Sequence, residues 1–430
     1  MNRSILFLII ALLFFSCDTG TDPVLAPGSN SSTPNILLII ADDLGKDAIS
    51  GFTEGSIKPN TPNIDAIRNT GLSFNNVWVY PTCTPTRSSI LTGKYGYRTD
   101  VKWASDKLAQ SEEALQKYIS DRTNDRYASA IVGKWHLSGN NNTANPESYG
   151  IDYYAGLIRG AVTDYSRWEM TEDGSTSIQT TYTSELFTDL SIDWINEQSK
   201  PWFMWLAYNA PHTPFHAPPS TMHNQGDLAA YANGVDPIPY YMAAIEAMDY
   251  QIGRLLENIP SDERENTVII FIGDNGTPNQ VAQSPYSAQT AKGSLAQGGI
   301  NVPMFINGSG VSRTGTDDNL ITSTDLFATI SEIAGISTPE VNDSKSFKSL
   351  LSQSSKIRDY QYSEMDNGTN DSWTISNGEF KLIVNANGNE VLYDLINDPY
   401  ESKDLLTGTL STLEANAKVA LESELLNIRN

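Results

Sequence analysis

The chain predicts an α/β fold: a large mixed, mostly parallel sheet flanked by helices, followed by a smaller C-terminal α+β subdomain containing an antiparallel sheet. Three observations carry this reading. Short apolar runs alternate with longer amphipathic stretches through residues 35–335, the runs end in polar or Gly-rich turns, and from about Ile336 the texture changes to short strands separated by Asn-Gly pairs.

The apolar runs are Asn35 to Ile40, Tyr127 to Val132, Trp202 to Tyr208, Thr267 to Ile272 and Val302 to Ile306. Strands of this length alternating with helical periodicity require helices on both faces of the sheet. The helical stretches include Glu112 to Ser120, Ser184 to Gln198, Tyr240 to Asn258 and Ile321 to Ala334. In residues 336–430, SKSFKSLLSQ reads as a loop and short helix, and SWTIS, EFKLIV and EVLYDL read as adjacent strands. Asn377-Gly378 and Asn387-Gly388 suit the tight turns between them, and a closing helix starts near Leu410. There is no internal repeat.

The first residues, MNRSILFLIIALLFFSC, place one Arg before an apolar run from Ile5 to Phe15. A run of this length is too short for a bilayer, which takes about 20 residues. A charged start, a short apolar run and a small residue before Cys17 describe an export signal over residues 1–17, similar to a bacterial lipoprotein signal. The expectation is a protein held at the cell envelope, on its periplasmic or surface face, by a lipid on Cys17. Residues 18–34 are rich in Pro, Gly and Ser and read as a flexible tether.

Composition removes several classes. With 28 Lys and Arg against 51 Asp and Glu, the formal charge is −23, so there is no basic stripe for a nucleic acid. A hydrophobic content of 39% excludes disordered and fibrous chains. The chain has two cysteines, and with Cys17 taken by lipid Cys83 has no partner. It lies in TCTPTRSSILTG, where a Pro-bounded turn leads into a short helix from about Thr86, with Arg87 one turn on. A thiol there would be polarised toward thiolate.

Polar residues gather at strand ends. NILLII runs into Asp42 and Asp43, and TVIIFI runs through Gly273 into Asp274 and Asn275. Three carboxylates and a carboxamide at the carboxyl edge of an α/β sheet suit a hard cation, Ca²⁺ ahead of Mg²⁺. Helix capping by Asp42 or Asp43 and a simple Asp-Asn-Gly turn are the alternatives. Lys134 and His136 follow the strand YASAIV, and His212 follows WFMWLAY, at the same edge. His216 and His223 lie in a Pro-rich loop and read as solvated or substrate-facing, and four histidines are too few for a nitrogen-rich dinuclear zinc site.

Together these residues resemble the sulfatases of the alkaline-phosphatase-like superfamily over nearly the whole chain beyond residue 34. Cys83-Thr84-Pro85-Thr86-Arg87, followed by Leu91-Thr92-Gly93, is similar to the C-x-P-x-R signature in which the cysteine is oxidised to formylglycine by a formylglycine-generating enzyme. The acidic pair, GKWHL, the Pro-His pair, DNG, Lys292-Gly293 and VLYDLINDPYESKDL follow the family order. The resemblance implies a calcium ion held by Asp42, Asp43, Asp274 and Asn275 and faced by the modified Cys83. It implies that the aldehyde hydrates, that one hydroxyl attacks sulfur with help from the metal and Arg87, and that the other expels sulfate. It further implies that Lys134 and Lys292 bind sulfate oxygens, His136 acts as base and His212 helps protonate the leaving oxygen. Gln297 and Asn301 depart from the Glu and Arg common there, and Thr86 from Ser or Ala.

An envelope-anchored protein of this kind points to a sulfated polysaccharide fragment as substrate. Trp103, Tyr149, Tyr153, Tyr154 and Trp168 are candidates for stacking on sugar rings. The acidic surface repels a polyanion less at high ionic strength, which fits a saline, marine-type habitat. The competing readings are an arylsulfatase, a phosphonate monoester or phosphodiester hydrolase with the same site, and a glycan-binding lipoprotein with an inactive one.

Overall fold

The computed structural model describes residues 33–139 and 145–430; the export signal, Cys17 and residues 18–32 of the tether lie outside them. Ten strands build the main sheet: β1 (Asn35–Ala41), β2 (Leu72–Trp78), β3 (Ala128–Lys134), β4 (Tyr153–Leu157), β5 (Trp168–Glu172), β6 (Ser175–Gln179), β7 (Trp202–Tyr208), β8 (Thr267–Gly273), β9 (Met304–Gly308) and β10 (Gly315–Thr322). Their spatial order is β10-β2-β9-β8-β1-β7-β3-β4-β5-β6. The centre, β8-β1-β7-β3-β4, is parallel, while β9 and the β4-β5-β6 meander are antiparallel.

The helices are α1 (Pro62–Thr70), α2 (Cys83–Thr92), α3 (Gly96–Thr99), α4 (Leu115–Thr123), α5 (Thr183–Asn196), α6 (Ile238–Asn258), α7 (Ser261–Glu265), α8 (Gln297–Ile300), α9 (Asp325–Ile333) and α10 (Thr412–Arg429). β1 shows why its sequence does not alternate. Ile36, Leu38 and Ile40 enter a core shared with α2, α4 and α9, while Leu37 and Ile39 enter another shared with α5 and α6. A strand covered by helices on both faces buries every side chain.

Two short strands, β11 (Glu340–Val341) and β12 (Ser344–Lys345), precede a four-stranded antiparallel sheet of β13 (Gln361–Asp366), β14 (Asp371–Ser376), β15 (Phe380–Asn385) and β16 (Glu390–Asp394). Both Asn-Gly pairs sit in the turns of this sheet, and Gly378 (φ 91°) and Gly388 (φ 85°) adopt the left-handed backbone such turns need. α10 opens with a reciprocal cap: Ser411 accepts from the Glu414 N–H and Glu414 accepts from the Ser411 N–H.

The stretch Ile321 to Ala334 is not one helix. Its first residues finish β10, and α9 begins at Asp325, whose carboxylate accepts from the Thr322 N–H and is held by buried Arg358. The helix carrying Cys83 starts at Cys83 itself, three residues before the expected point.

Candidate active site

The four central strands deliver the polar residues. β1 pairs in register with β8, Ala41 opposite Gly273, so the pairs Asp42-Asp43 and Asp274-Asn275 leave the sheet side by side. β1 also pairs with β7, which leads to His212, and β7 pairs with β3, which ends in Lys134. Backbone bonds continue past the strand ends, from Asp274 N to Ala41 O (3.1 Å) and from Asp42 N to Ala210 O (3.1 Å). Asp43 (φ 67°) and His136 (φ 55°) both hold left-handed backbone, strain of the kind that concentrates at functional sites.

α2 supplies the other half. Cys83 Sγ lies 3.2 Å from His136 Nδ1 and 3.4 Å from Lys134 Nζ. One turn on, Arg87 donates through Nε (3.0 Å) and Nη2 (2.7 Å) to Asp274 Oδ2, and through Nη1 to Lys134 O (2.7 Å). Lys134 Nζ donates to Asp42 Oδ2 (2.6 Å), and Lys292 Nζ to Asp43 Oδ1 (2.5 Å). Three carboxylates therefore face three cations, almost all of them buried.

Burial sets the titration of these groups. It pushes the Asp42 carboxyl up to about 8, against the pull of Lys134. Asp43 is buried too, yet Lys292, His212 and Lys134 hold its carboxyl well below the usual range. Burial works against the Lys292 charge, but Asp43 outweighs it and keeps the ammonium protonated. Burial, reinforced by Lys134 and Arg87, drives His136 well below its ordinary value, so the ring is neutral. His212 falls to about 4 through burial, although Asp43 opposes the shift. Its Nδ1–H donates to Thr213 O (2.7 Å), which turns Nε2 toward Asp43 Oδ2 at 3.7 Å.

The centre fits a hard cation. Ligand atoms of Asp42, Cys83 and Asp274 lie within 4.8 Å of one another, as do those of Asp42, Asp43 and His212. Asp42 Oδ1 and Asn275 Oδ1 are buried with no hydrogen-bond partner among the described residues, and the Asn275 amide N–H groups donate to Asp43 Oδ1 (2.8 Å) and Gly276 O (2.9 Å). Orphaned buried oxygens are costly unless something positive accepts their lone pairs.

Every residue expected at the site is brought to it: Asp42, Asp43, Cys83, Arg87, Lys134, His136, His212, Asp274, Asn275 and Lys292. Other expectations need correction. Burial raises the Cys83 thiol rather than lowering it, even with Lys134 beside it. His216 is not solvated; it stacks on Tyr165 at 3.7 Å and meets the Tyr182 hydroxyl at 2.9 Å. Tyr149, Tyr154 and Trp168 are buried with their polar tips on the carbonyls of Leu108, Gly133 and Thr181, and Tyr153 bonds Glu172. Those four are packing residues; Trp103 stays partly exposed beside Lys292-Gly293.

Three contributors escaped sequence reasoning. Thr84 Oγ1 lies 3.2 Å from His136 Nδ1 while donating to Ala104 O (2.9 Å), so its own proton does not compete for the Nδ1 lone pair that faces Cys83. Asp47, fully buried, takes the Thr277 hydroxyl (2.5 Å) and braces the loop whose Thr277 O receives Lys292 N (3.1 Å). Gly160 lies flat against the His136 imidazole, with no room for a methyl group. Thr84 stood inside the signature itself; for Asp47 and Gly160 no sequence signal exists.

Comparison with known proteins agrees with this geometry. Residues 34–336 match the sulfatase family model, and residues 292–430 match the model described as N-sulphoglucosamine sulphohydrolase, C-terminal. The arylsulfatase of Klebsiella aerogenes is 26% identical, the match covering 73% of this chain and 90% of the relative. The uncharacterized sulfatase YdeN of Escherichia coli (strain K12) is also 26% identical; the match covers 73% of this chain and 64% of YdeN, so the chain spans under two thirds of that relative. The fold is shared with Ps i-CgsB in complex with k-i-k-neocarrahexaose, at TM-score 0.77 and 23% identity over 91% of this chain and 92% of the other. It is shared too with BT4656 in complex with D-glucosamine-2-N,6-O-disulfate, at TM-score 0.76 and 19% identity over 93% and 98%. With a family model matched across most of its length and the strand-edge centre in place, the chain belongs to the sulfatase family of sulfuric ester hydrolases.

Proposed function

We propose that the protein removes sulfate from a sulfated carbohydrate, an oligosaccharide of a marine-type polysaccharide, using a formylglycine made from Cys83 and a calcium ion. The observation that carries this is Cys83 Sγ in contact with both a neutral His136 Nδ1 and Lys134 Nζ, beside a cluster of hard oxygens. Carbohydrate is supported by two proteins of the same fold, one in complex with a neocarrahexaose and one with a glucosamine disulfate. Lipid anchoring through Cys17 and maturation by a formylglycine-generating enzyme complete the reading.

Asp42, Asp43, Asp274 and Asn275 would hold the ion, which when bound supplies positive charge to the sulfate and to the attacking hydroxyl. Formylglycine at position 83 would supply an oxygen nucleophile toward sulfur and a second hydroxyl through which the sulfate ester can be released. Lys134 and Lys292 neutralise oxygens of the sulfate ester. Arg87 ties α2 to Asp274 and to the end of β3, so nucleophile and acidic cluster keep their spacing. His136, neutral and 3.2 Å from Cys83 Sγ, accepts the proton of the attacking hydroxyl. His212 commits Nδ1–H to Thr213 O, so the proton it gives to the leaving oxygen comes from Nε2 of the cationic ring, a form Asp43 favours.

The test uses protein co-expressed with a formylglycine-generating enzyme, with the aldehyde at position 83 verified by peptide mass. Free sulfate and free phosphate are measured from sulfated oligosaccharides and from matched aryl sulfate and phosphate esters. Sulfate release that disappears in Cys83→Ala supports the proposal. Phosphate release exceeding sulfate release, or tight glycan binding with no turnover, contradicts it.

A further inference from the structure

The cavity over the reactive centre, about 400 Å³, is lined by Cys83, His136, His212 and Lys292 and also by Arg159. The loop carrying Arg159 is tied to the catalytic strand. Beyond β3 and β4, Trp135 N donates to Leu157 O (2.9 Å) and His136 N to Ile158 O (3.1 Å), and Gly160 packs flush against the His136 ring. The backbone of Arg159 thus keeps a fixed place beside the reacting group.

Its charge is uncompensated. Arg87, Lys134 and Lys292, the other cations of the centre, each face a carboxylate there. Arg159 is exposed and, among the described residues, makes no hydrogen bond or ion pair. In a chain of charge −23 an unclaimed guanidinium inside the reactive cavity stands against the surrounding field.

We propose that Arg159 is a specificity residue that binds a second oxyanion of the substrate, so that the preferred ligand carries a carboxylate or further sulfate near the sulfate to be removed. This rests on the sulfatase reading above. A planar guanidinium with its donors unused matches the paired oxygens of either group. The cations of the centre, already balanced, cannot by themselves separate a dianionic sugar from a monoanionic one.

Binding can be measured without turnover in Cys83→Ala. Three disaccharides serve as probes: one singly sulfated with a neutral neighbouring sugar, one with a uronic acid in its place, and one carrying a second sulfate. By calorimetry at low salt, one or both dianionic probes should bind at least tenfold tighter than the neutral-neighbour probe. Adding Arg159→Ala should cut that advantage to under threefold, while Arg159→Lys should keep part of it. The arm that loses its advantage identifies the group, carboxylate or sulfate. Equal affinities for all three probes, or an advantage that survives Arg159→Ala in protein with an unchanged unfolding midpoint, overturn the proposal. Because the readout is affinity, such a result is distinguishable from failure of the sulfatase reading, which shows as no sulfate release by aldehyde-bearing wild type.

Discussion

Arg87 clasps a single oxygen of Asp274 through both Nε and Nη2, and with Nη1 it reaches the backbone carbonyl of Lys134 on a different strand. One fully buried side chain therefore joins α2, the end of β8 and the end of β3. Arg87→Ala should cost about 3–5 kcal/mol of stability, since it leaves Asp274 buried without its cation. Arg87→Lys keeps the charge but not the fork, and should lower sulfate release by roughly a hundredfold. Denaturant unfolding and turnover per mole of aldehyde check both; turnover within threefold of wild type in Arg87→Lys would show that the fork is dispensable.

Gly160→Ala places a methyl group in the volume of the His136 imidazole. The ring must turn or the loop must retreat, and displacement of a catalytic group by an ångström costs about a hundredfold in rate. We expect kcat on an aryl sulfate to fall by that order with the unfolding midpoint little changed. A kcat close to wild type would mean that the base is not held by this contact.

Glu401 links the C-terminal sheet to the loop of Lys292. Its Oε1 pairs with buried Lys381 Nζ (2.5 Å), its Oε2 accepts from Gln297 N at the start of α8 (2.6 Å), and Lys381 Nζ donates to Leu295 O (2.5 Å). Glu401→Gln leaves a buried ammonium without its counter-charge, at a cost of about 3–5 kcal/mol. Because Leu295 and Gln297 adjoin the loop of Lys292, KM should rise severalfold more than kcat falls. Steady-state kinetics at a temperature where the variant is folded separate the two.

Asp249, buried on α6, accepts from the backbone N–H groups of Asn63 (3.1 Å) and Ile64 (2.7 Å) and so caps α1, which has no cap of its own. Burial lifts its carboxyl from 3.8 to about 6, outweighing those bonds. The folded state thus binds this proton more tightly than the unfolded one, so the contribution is full below about pH 4 and is lost as pH rises through 6. The stability gap between wild type and Asp249→Asn should narrow by up to about 3 kcal/mol from pH 4 to pH 7. Paired denaturation curves at the two pH values, at fixed calcium, test the sign.

What sequence revealed and what it hid have physical causes. Asp42, Asp274, Lys134 and His212 were legible because each ends an unbroken apolar run, and in a sheet with helices on both faces such ends converge on one edge. β2, β10 and β13 were not, because LSFNNVW, GTDDNLIT and QYSEMD mix polar and apolar residues. Gln361 shows how β13 uses its polar groups, donating to Asn76 O (2.8 Å) and Ile321 O (2.7 Å) to dock the second sheet on the first. Tyr149, Tyr154 and Trp168 misled for a related reason: an aromatic whose polar tip finds an internal carbonyl is indistinguishable in sequence from one that meets a ligand.

The most direct measurement is free sulfate released from an aryl sulfate by protein with a verified aldehyde at position 83, in calcium, beside a chelated sample and beside Cys83→Ala. The account predicts turnover in the first, restoration of the chelated sample by added calcium, and none in Cys83→Ala. Equal release by Cys83→Ala would contradict it outright, because the acidic cluster, both lysines and both histidines would then be acting without the residue around which they are arranged.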